Sequence, residues 1–180
     1  MDEIDYALDI GKKVLDLHIE CGGKEAIKGF RSRAREFPQM VQQLGLISSI
    51  TFLLSKVDDD ILIPSIKYFL YGEKIDRSTN LCREVRDDGY TSYLVVNFAW
   101  IKCKLYDLRF FDKCIKEFES LDDMKILIND HIKKDIISTL KELKEEEEKN
   151  LLLSQIEESV LNFSIELKKI VDGIYGGSND

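Results

Sequence analysis

Hydrophobic residues recur at helical spacing along most of the chain. The first predicted helix carries its apolar side on six residues: Ile4, Ala7, Leu8, Val14, Leu15 and Leu17. It is expected to end near the glycine pair at 22–23, because glycine commonly terminates helices. A second helical segment is predicted from residue 24 towards residue 37. Pro38 is expected to start a third helix that runs to Lys56, since proline suits the first turn of a helix.

The middle of the chain predicts further helices. Three aspartates at 58–60 are expected to cap a helix over 61–71, which Gly72 then breaks. A helical segment is also expected over 77–85. The run over 91–105 has β-propensity at its start, but its apolar residues follow the i, i+4, i+7, i+11 spacing of a buried helix. These residues are Leu94, Phe98, Ile101 and Leu105.

The carboxyl-terminal part is predicted to be helical as well. An amphipathic pattern covers 122–149, and its closing block of four glutamates at 145–148 predicts a solvated face or an exposed bend. A last helix is predicted over 151–174. The sequence therefore predicts an all-α fold, a compact single-domain bundle of about six to seven helices over 1–175, with a disordered tail at 176–180.

Composition excludes several classes of protein. The chain has 180 residues, 44% of them hydrophobic, and a formal net charge of −8, so bulk positive charge cannot hold it to a nucleic acid. Its longest uncharged run, residues 37–55, contains three glutamines that hydrocarbon would disfavour, which predicts a buried soluble helix and no membrane span. No secretory signal is visible at the amino terminus, and we expect a cytoplasmic protein.

The residue types that carry chemistry do not form known motifs. Four cysteines and two histidines lack zinc-site spacing, and the cysteines are expected to be reduced thiols, with Cys103 and Cys114 about 16 Å apart if they share one helix. Neither a phosphate-binding glycine loop nor a nucleophile motif is present. Carboxylates at 58–60 and 122–123 could hold Mg²⁺, but helix caps are the favoured interpretation. No catalytic residue, metal or cofactor is predicted.

One short stretch is strongly basic. Lys24, Lys28, Arg31 and Arg35 follow helical spacing and fall within an arc of about 60°, on a line about 16 Å long. With Arg33 and Glu25 the stretch carries a net charge of +4, against −12 for the rest of the chain. Such a line of cations suits a phosphate backbone. A solvated face paired with the chain's own acids is the competing interpretation.

The same stretch resembles the signature block of a known family. Residues 31–40 read RSRAREFPQM, a Gly-Leu pair follows at 45–46, and FLLSK occupies 52–56. This pattern is similar to that of the small subunit of Cmr-type CRISPR complexes, the type III-B effectors. The aromatic, leucine-rich segment over 93–100 and the amphipathic segment over 151–174 also resemble the family.

The resemblance implies a compact helical subunit in antiviral defence with no catalytic activity of its own. Copies of such a subunit stack as a filament beside the backbone subunits, which hold the guide RNA and cleave the target. Implied partners are therefore the other Cmr subunits, further copies of itself and target RNA, with guide RNA as a further candidate.

The candidate RNA-binding residues come from the family-like block and from the line of cations, which we call the predicted basic stripe. They are Lys24, Lys28, Arg31, Arg33, Arg35 and Lys56. Pro38, Gly45, Phe52 and Leu53 are expected to be structural: they start a helix, allow close helix approach and fill the core. Two other functions remain open: a helical protein–protein adaptor without RNA contact, and an enzyme that uses the aspartates at 58–60.

Overall fold

The computed structural model describes residues 1–22, 25–75, 79–109 and 134–177. Every regular element in these ranges is helical, which confirms the predicted all-α fold. The helices are α1 (Glu3–Glu20), α2 (Lys28–Leu44), α3 (Leu46–Leu54), α4 (Asp59–Tyr71), α5 (Leu81–Asp87), α6 (Tyr90–Asp107), α7 (Ile137–Glu145) and α8 (Asn150–Gly176), with a 3-10 turn at Glu147–Lys149. None of these described helices has the length and apolarity that a bilayer crossing needs.

Helix α6 lies at the centre of the bundle. The sequence predicts this helix correctly, and 13 of its residues are buried. Because α6 has almost no polar face, other helices have to surround it, and α2, α3, α4, α5 and α8 all pack against it. Tyr93 meets Phe30 and Phe37 of α2 edge to face, each with a centroid distance of 5.4 Å.

Helix α8 forms the second organising element, because α1 and α2 both pack along it. The buried stripe of α1 differs from the predicted one: Ala7, Ile10, Val14 and Leu17 are buried. Three residues of the predicted apolar side, Ile4, Leu8 and Leu15, are instead 57%, 47% and 43% exposed. The prediction was therefore right for Ala7, Val14 and Leu17 and wrong for the other three, because both sets have helical spacing and periodicity alone does not separate them.

The predicted boundary between the second and third helices is wrong. Pro38 lies inside α2, where it removes one backbone hydrogen bond without ending the helix. Gly45 separates α2 from α3 with a φ of 80°, a conformation that glycine adopts without strain. An added Cβ at Gly45 would find only Glu157, 4.0 Å away, so close helix approach is not what requires this glycine. Leu53 is buried as expected, whereas Phe52 is 38% exposed.

Several predicted helix ends are confirmed. The Asp58 carboxylate accepts a hydrogen bond from the Asp60 amide at 3.0 Å and caps α4, and Gly72 ends that helix in the left-handed conformation. The acidic block ends α7 at Glu145, and the chain becomes extended at Glu146 before α8 begins. Predictions for Arg77, for residues 110–133 and for the end of the tail at 178–180 lie outside the described residues.

The backbones of α2 and of the α5–α6 junction meet in direct contact. A Cβ on Gly89 would lie 2.3 Å from the backbone nitrogen of Phe30, and a Cβ on Gly29 would lie 2.7 Å from that of Asp88. Gly89 also has a φ of 69°. Both glycines are therefore required for α2 to approach the start of α6 this closely.

The cysteines differ from the prediction of reduced thiols. Cys21, at the end of α1, and Cys82, in α5, form a disulfide that spans 61 positions of sequence. Cys103 is also disulfide-bonded. The expectation of reduced thiols is therefore wrong for these three residues, and Cys114 lies outside the described residues. Pairing of residues so distant in the chain depends on the tertiary packing, which the cysteine spacing does not reveal.

Gly89→Ala is expected to destabilise the fold by about 2–5 kcal/mol, because it adds both left-handed strain and a clash with backbone atoms. Gly72→Ala is the matched control: its φ of 67° is similar, but no atom lies within 4 Å of the added Cβ. The control should lose only about 1–2 kcal/mol. Urea unfolding measures both losses, and equal losses would contradict the close approach.

Cys82→Ser is expected to lower the free energy of unfolding by up to about 4 kcal/mol, the chain-entropy value for a loop of this size. Thermal melting with and without a reducing agent measures the effect. The melting temperature of the reduced wild type should then be close to that of the variant, apart from any contribution of the disulfide at Cys103. An unchanged melting temperature for Cys82→Ser would show that the bridge does not stabilise the fold.

Candidate nucleic-acid interface

The predicted basic stripe is present on α2 as three cations: Lys28, Arg31 and Arg35. Helix α2 begins at Lys28, and Lys24 lies outside the described residues. The Lys28 and Arg35 side chains are 64% and 54% exposed, whereas that of Arg31 is only 26% exposed. We call these three residues the α2 basic face.

The α2 basic face is held against the end of α8. Asp172 of α8 accepts a hydrogen bond from Arg31 Nε at 2.7 Å, and its other oxygen lies 3.9 Å from Arg35 Nε. The Arg31 guanidinium stacks on the Tyr175 ring, 4.1 Å from its centroid. One carboxylate thus serves two arginines, which fixes their positions and neutralises part of their charge.

The Glu25 carboxylate completes this network. It accepts a hydrogen bond from the Tyr175 hydroxyl at 2.8 Å and forms an ion pair with Lys28 at 3.1 Å. The hydrogen bond to Glu25 is the main reason why the pKa of Tyr175 is raised. Two carboxylates therefore face three cations, and a net positive charge of one remains on this surface.

Arg33 points to a different side of α2. Its side chain is only 17% exposed and forms an ion pair with Glu36 at 2.8 Å. The guanidinium also donates a hydrogen bond to the Tyr90 hydroxyl and stacks on that ring, 4.1 Å from its centroid. The interactions with Tyr90 join α2 to the first turn of α6.

Lys56 lies on the same side as Arg33. Its ammonium group is 5.9 Å from the centroid of Phe52, and the Phe52 and Tyr90 rings meet edge to face at 6.1 Å. Arg33, Tyr90, Phe52 and Lys56 thus follow one another, and we call them the cation–aromatic row. Aromatic rings flanked by cations suit single-stranded nucleic acid, whose bases stack on rings while its phosphates meet cations. The structure therefore separates the predicted residues into two surfaces.

A polar cleft of about 520 Å³ adjoins the cation–aromatic row at Lys56 and Tyr90. On one side of the cleft, Glu84 is buried beneath the start of α6 and serves as its cap, since the N-cap residue, Gly89, has no side chain. Its Oε1 accepts hydrogen bonds from the backbone amides of Thr91 at 2.8 Å and Ser92 at 3.2 Å, and Oε2 accepts one from the Ser92 hydroxyl. Burial raises the pKa of Glu84, and these hydrogen bonds oppose the shift.

The candidate magnesium ligands form no metal site among the residues that the structure describes. In the described part of the chain, no three histidine, cysteine or acidic side chains come together to hold a metal ion. The Asp58 carboxylate, one of the candidate magnesium ligands, caps α4 instead. The predicted ligands at 122–123 lie outside the described residues.

Sequence reasoning missed the residues that position the basic side chains. Asp172 and Tyr175 lie about 140 positions beyond the arginines in the sequence, and no local pattern connects them. Tyr90 was also missed, although it directly precedes the predicted helix over 91–105. The buried Glu84 had no sequence signal, because an isolated glutamate in a charged segment is typical of a solvated surface.

Comparison with known proteins identifies a family. Residues 3–103 match the family model described as CRISPR-associated protein (Cas_Cmr5). The matched part extends from α1 into α6 and includes the whole α2 basic face and the cation–aromatic row. No curated protein and no solved structure matches the chain.

Glu84→Gln is expected to become more stable relative to the wild type as pH rises. The folded state holds the Glu84 proton to higher pH than the unfolded chain does, so wild-type stability falls between the unfolded pKa, about 4.3, and the raised folded pKa. Glutamine does not titrate and keeps one acceptor oxygen for the amides of α6. Urea unfolding from pH 4 to pH 8 measures the difference.

Glu84→Ala serves as the control for this experiment. It leaves the amides of Thr91 and Ser92 without their acceptor, and the expected loss is about 1–3 kcal/mol across the same pH range. If Glu84→Gln lost as much stability as Glu84→Ala at pH 7, then α6 would depend on the ionised carboxylate, against the expectation.

Proposed function

The chain belongs to the Cas_Cmr5 family of CRISPR-associated proteins, and we propose that it is a non-catalytic small subunit that contacts target RNA through its basic residues. Membership makes it a Cmr-type subunit that associates with other Cmr subunits. The proposal adds the RNA contact, the absence of its own catalysis and stacking with further copies of itself, in the cytoplasm. Guide RNA is a second nucleic-acid partner in this proposal.

The α2 basic face is the observation that carries the RNA contact. Lys28 and Arg35 are more than half exposed in a chain whose net charge is −8. A phosphate group that approaches this face meets two exposed cations and a guanidinium that Asp172 already orients. Local positive charge on an acidic protein favours contact with RNA at one surface and leaves the rest for proteins.

The exposed side of α1 supports the protein contacts in the proposal. Four apolar side chains, Ile4, Leu8, Leu15 and Ile19, are 57%, 47%, 43% and 66% exposed. Helical geometry places them within an arc of about 60°. A line of exposed apolar residues is typical of a surface that another protein covers.

A helical adaptor without RNA contact is the second candidate function. The ion pair of Arg31 with Asp172 and that of Arg33 with Glu36 favour it, because each already gives the guanidinium group an acidic partner within the chain. In this alternative the α2 basic face is a solvated surface, or it meets an acidic protein.

The combined substitution Lys28→Glu and Arg35→Glu is expected to reduce capture of target RNA by the assembled complex roughly tenfold or more. Two phosphate contacts would be lost, so the dependence of log affinity on log salt concentration should fall by about 1 per contact. Both residues are exposed, so circular dichroism should show an unchanged fold. Filter binding at several salt concentrations measures capture.

Lys141→Glu combined with Lys144→Glu is the matched control, since it makes the same charge change on the exposed side of α7. This control should leave capture within about twofold of the wild type, because surface charges beyond about 10 Å are screened at ordinary salt. If both pairs reduce capture equally, net charge explains the loss. If neither pair of substitutions reduces capture, and the complexes assemble normally, the chain is better described as a helical adaptor without RNA contact.

A further inference from the structure

The polar cleft of about 520 Å³ is formed by the α3–α4 connection, α5 and the start of α6. Its volume lies within the range of small-molecule and nucleotide sites, about 300–1,000 Å³. Six of its lining residues matter here: Lys56, Asn80, Arg83, Glu84, Asp88 and Tyr90. None of them belongs to the α2 basic face.

Part of the cleft wall is already committed to the fold. Glu84 caps α6, and Asp58 caps α4. The Thr91 hydroxyl accepts a hydrogen bond from the Asp58 amide at 3.0 Å, which ties the start of α4 to the start of α6. These contacts commit the Glu84 carboxylate, Asp58 Oδ1 and the Thr91 hydroxyl to the fold.

Other lining side chains keep their hydrogen-bonding capacity. Within the described residues, the Asp88 carboxylate and the Asn80 amide form no hydrogen bond or ion pair, and Lys56 has only its contact with Phe52. Arg83 is 74% exposed and approaches Asp87 no closer than 3.7 Å. The cleft therefore presents one uncommitted carboxylate, one amide and two cations.

An aromatic ring completes the lining. Tyr90 lines the cleft, whereas Arg33, which stacks on the Tyr90 ring, does not. The Phe52 ring meets the Tyr90 ring edge to face at 6.1 Å, and the Lys56 ammonium group lies 5.9 Å from the Phe52 centroid. A flat apolar surface with cations beside it is the arrangement on which unstacked bases rest.

We propose that the cleft binds one unstacked nucleobase of RNA, and that the Asp88 carboxylate selects bases with an exocyclic amino group. The base lies against Tyr90, and its amino group donates a hydrogen bond to Asp88, as amino groups of cytosine do to aspartate and glutamate elsewhere. Lys56 and Arg83 meet the adjacent phosphate. Uracil has no amino group, and its single N–H, at N3, lies between two carbonyl oxygens that would repel the Asp88 carboxylate. This assignment rests on the proposed RNA contact, and it adds a preference among bases.

The charges of the cleft favour this ligand over others. Three carboxyl groups, on Asp58, Glu84 and Asp88, line it together with two cations, so a bare phosphate would be repelled from the interior. A lysine or arginine from another protein would meet Lys56 and Arg83. A nucleotide with an amino-bearing base suits both the cations and the carboxyl groups. Its charged phosphate stays beside Lys56 and Arg83, and its neutral base enters the cleft.

Titration of the full chain with cytidine monophosphate and uridine monophosphate tests the proposal by heteronuclear NMR. Cytidine monophosphate at millimolar concentration should shift the amide signals of Tyr90 and Thr91. Uridine monophosphate should bind at least about fivefold more weakly, since one such hydrogen bond is worth about that factor. Asp88→Asn should make the two affinities nearly equal, because an amide both donates and accepts. Asp107→Asn makes the same charge change at the other end of α6 and should keep the preference.

The outcomes separate this inference from the proposed function. Equal binding of the two nucleotides by the wild type, or a preference that Asp88→Asn leaves unchanged, would overturn the role of Asp88. Absence of any shift near the cleft with either nucleotide would overturn the base site. Capture of target RNA through Lys28 and Arg35 is measured independently in the assembled complex, and its failure would overturn the RNA contact itself.

Discussion

Helix α6 has almost no side that tolerates water, and most of the described structure follows from the need to cover it. Five other helices pack on it, and the contact of the α2 backbone with Gly89 lets that helix come close enough to bury Tyr93. The carboxylate of Glu84 supplies the hydrogen bonds that the first turn of α6 lacks. Apolar burial and one buried acid therefore determine together where the other helices lie.

The same packing positions the candidate RNA surfaces. Helix α2 covers α6 with its apolar side and meets α8 with another, so its cations are divided between the end of α8 and the start of α6. Arg31 and Arg33 are two residues apart, yet each is held by a different aromatic ring. A displacement of α2 along α6 would disturb both surfaces at once, which couples the proposed RNA contact to the integrity of the core.

Local patterns in the sequence were sufficient for the helices and insufficient for their contacts. The spacing of Leu94, Phe98, Ile101 and Leu105 predicts α6, and Asp58 with Gly72 predicts both ends of α4, because these signals lie within one element. The end of α2 was misplaced, since Pro38 is a conspicuous breaker that the helix tolerates, while Gly45 is the residue with positive φ. For the site, the basic residues were visible in the sequence. Their partners Asp172 and Tyr90 were not, because only tertiary packing brings them together.

The bridge between Cys21 and Cys82 closes a covalent ring around α2, α3 and α4. Every cation proposed to meet a phosphate on the α2 basic face or the cation–aromatic row lies inside this ring. A protease that cuts the chain once between the two cysteines therefore releases no fragment, and the two pieces stay joined until the bridge is reduced. The part of the subunit that is proposed to contact RNA is thereby protected against loss from a single nick.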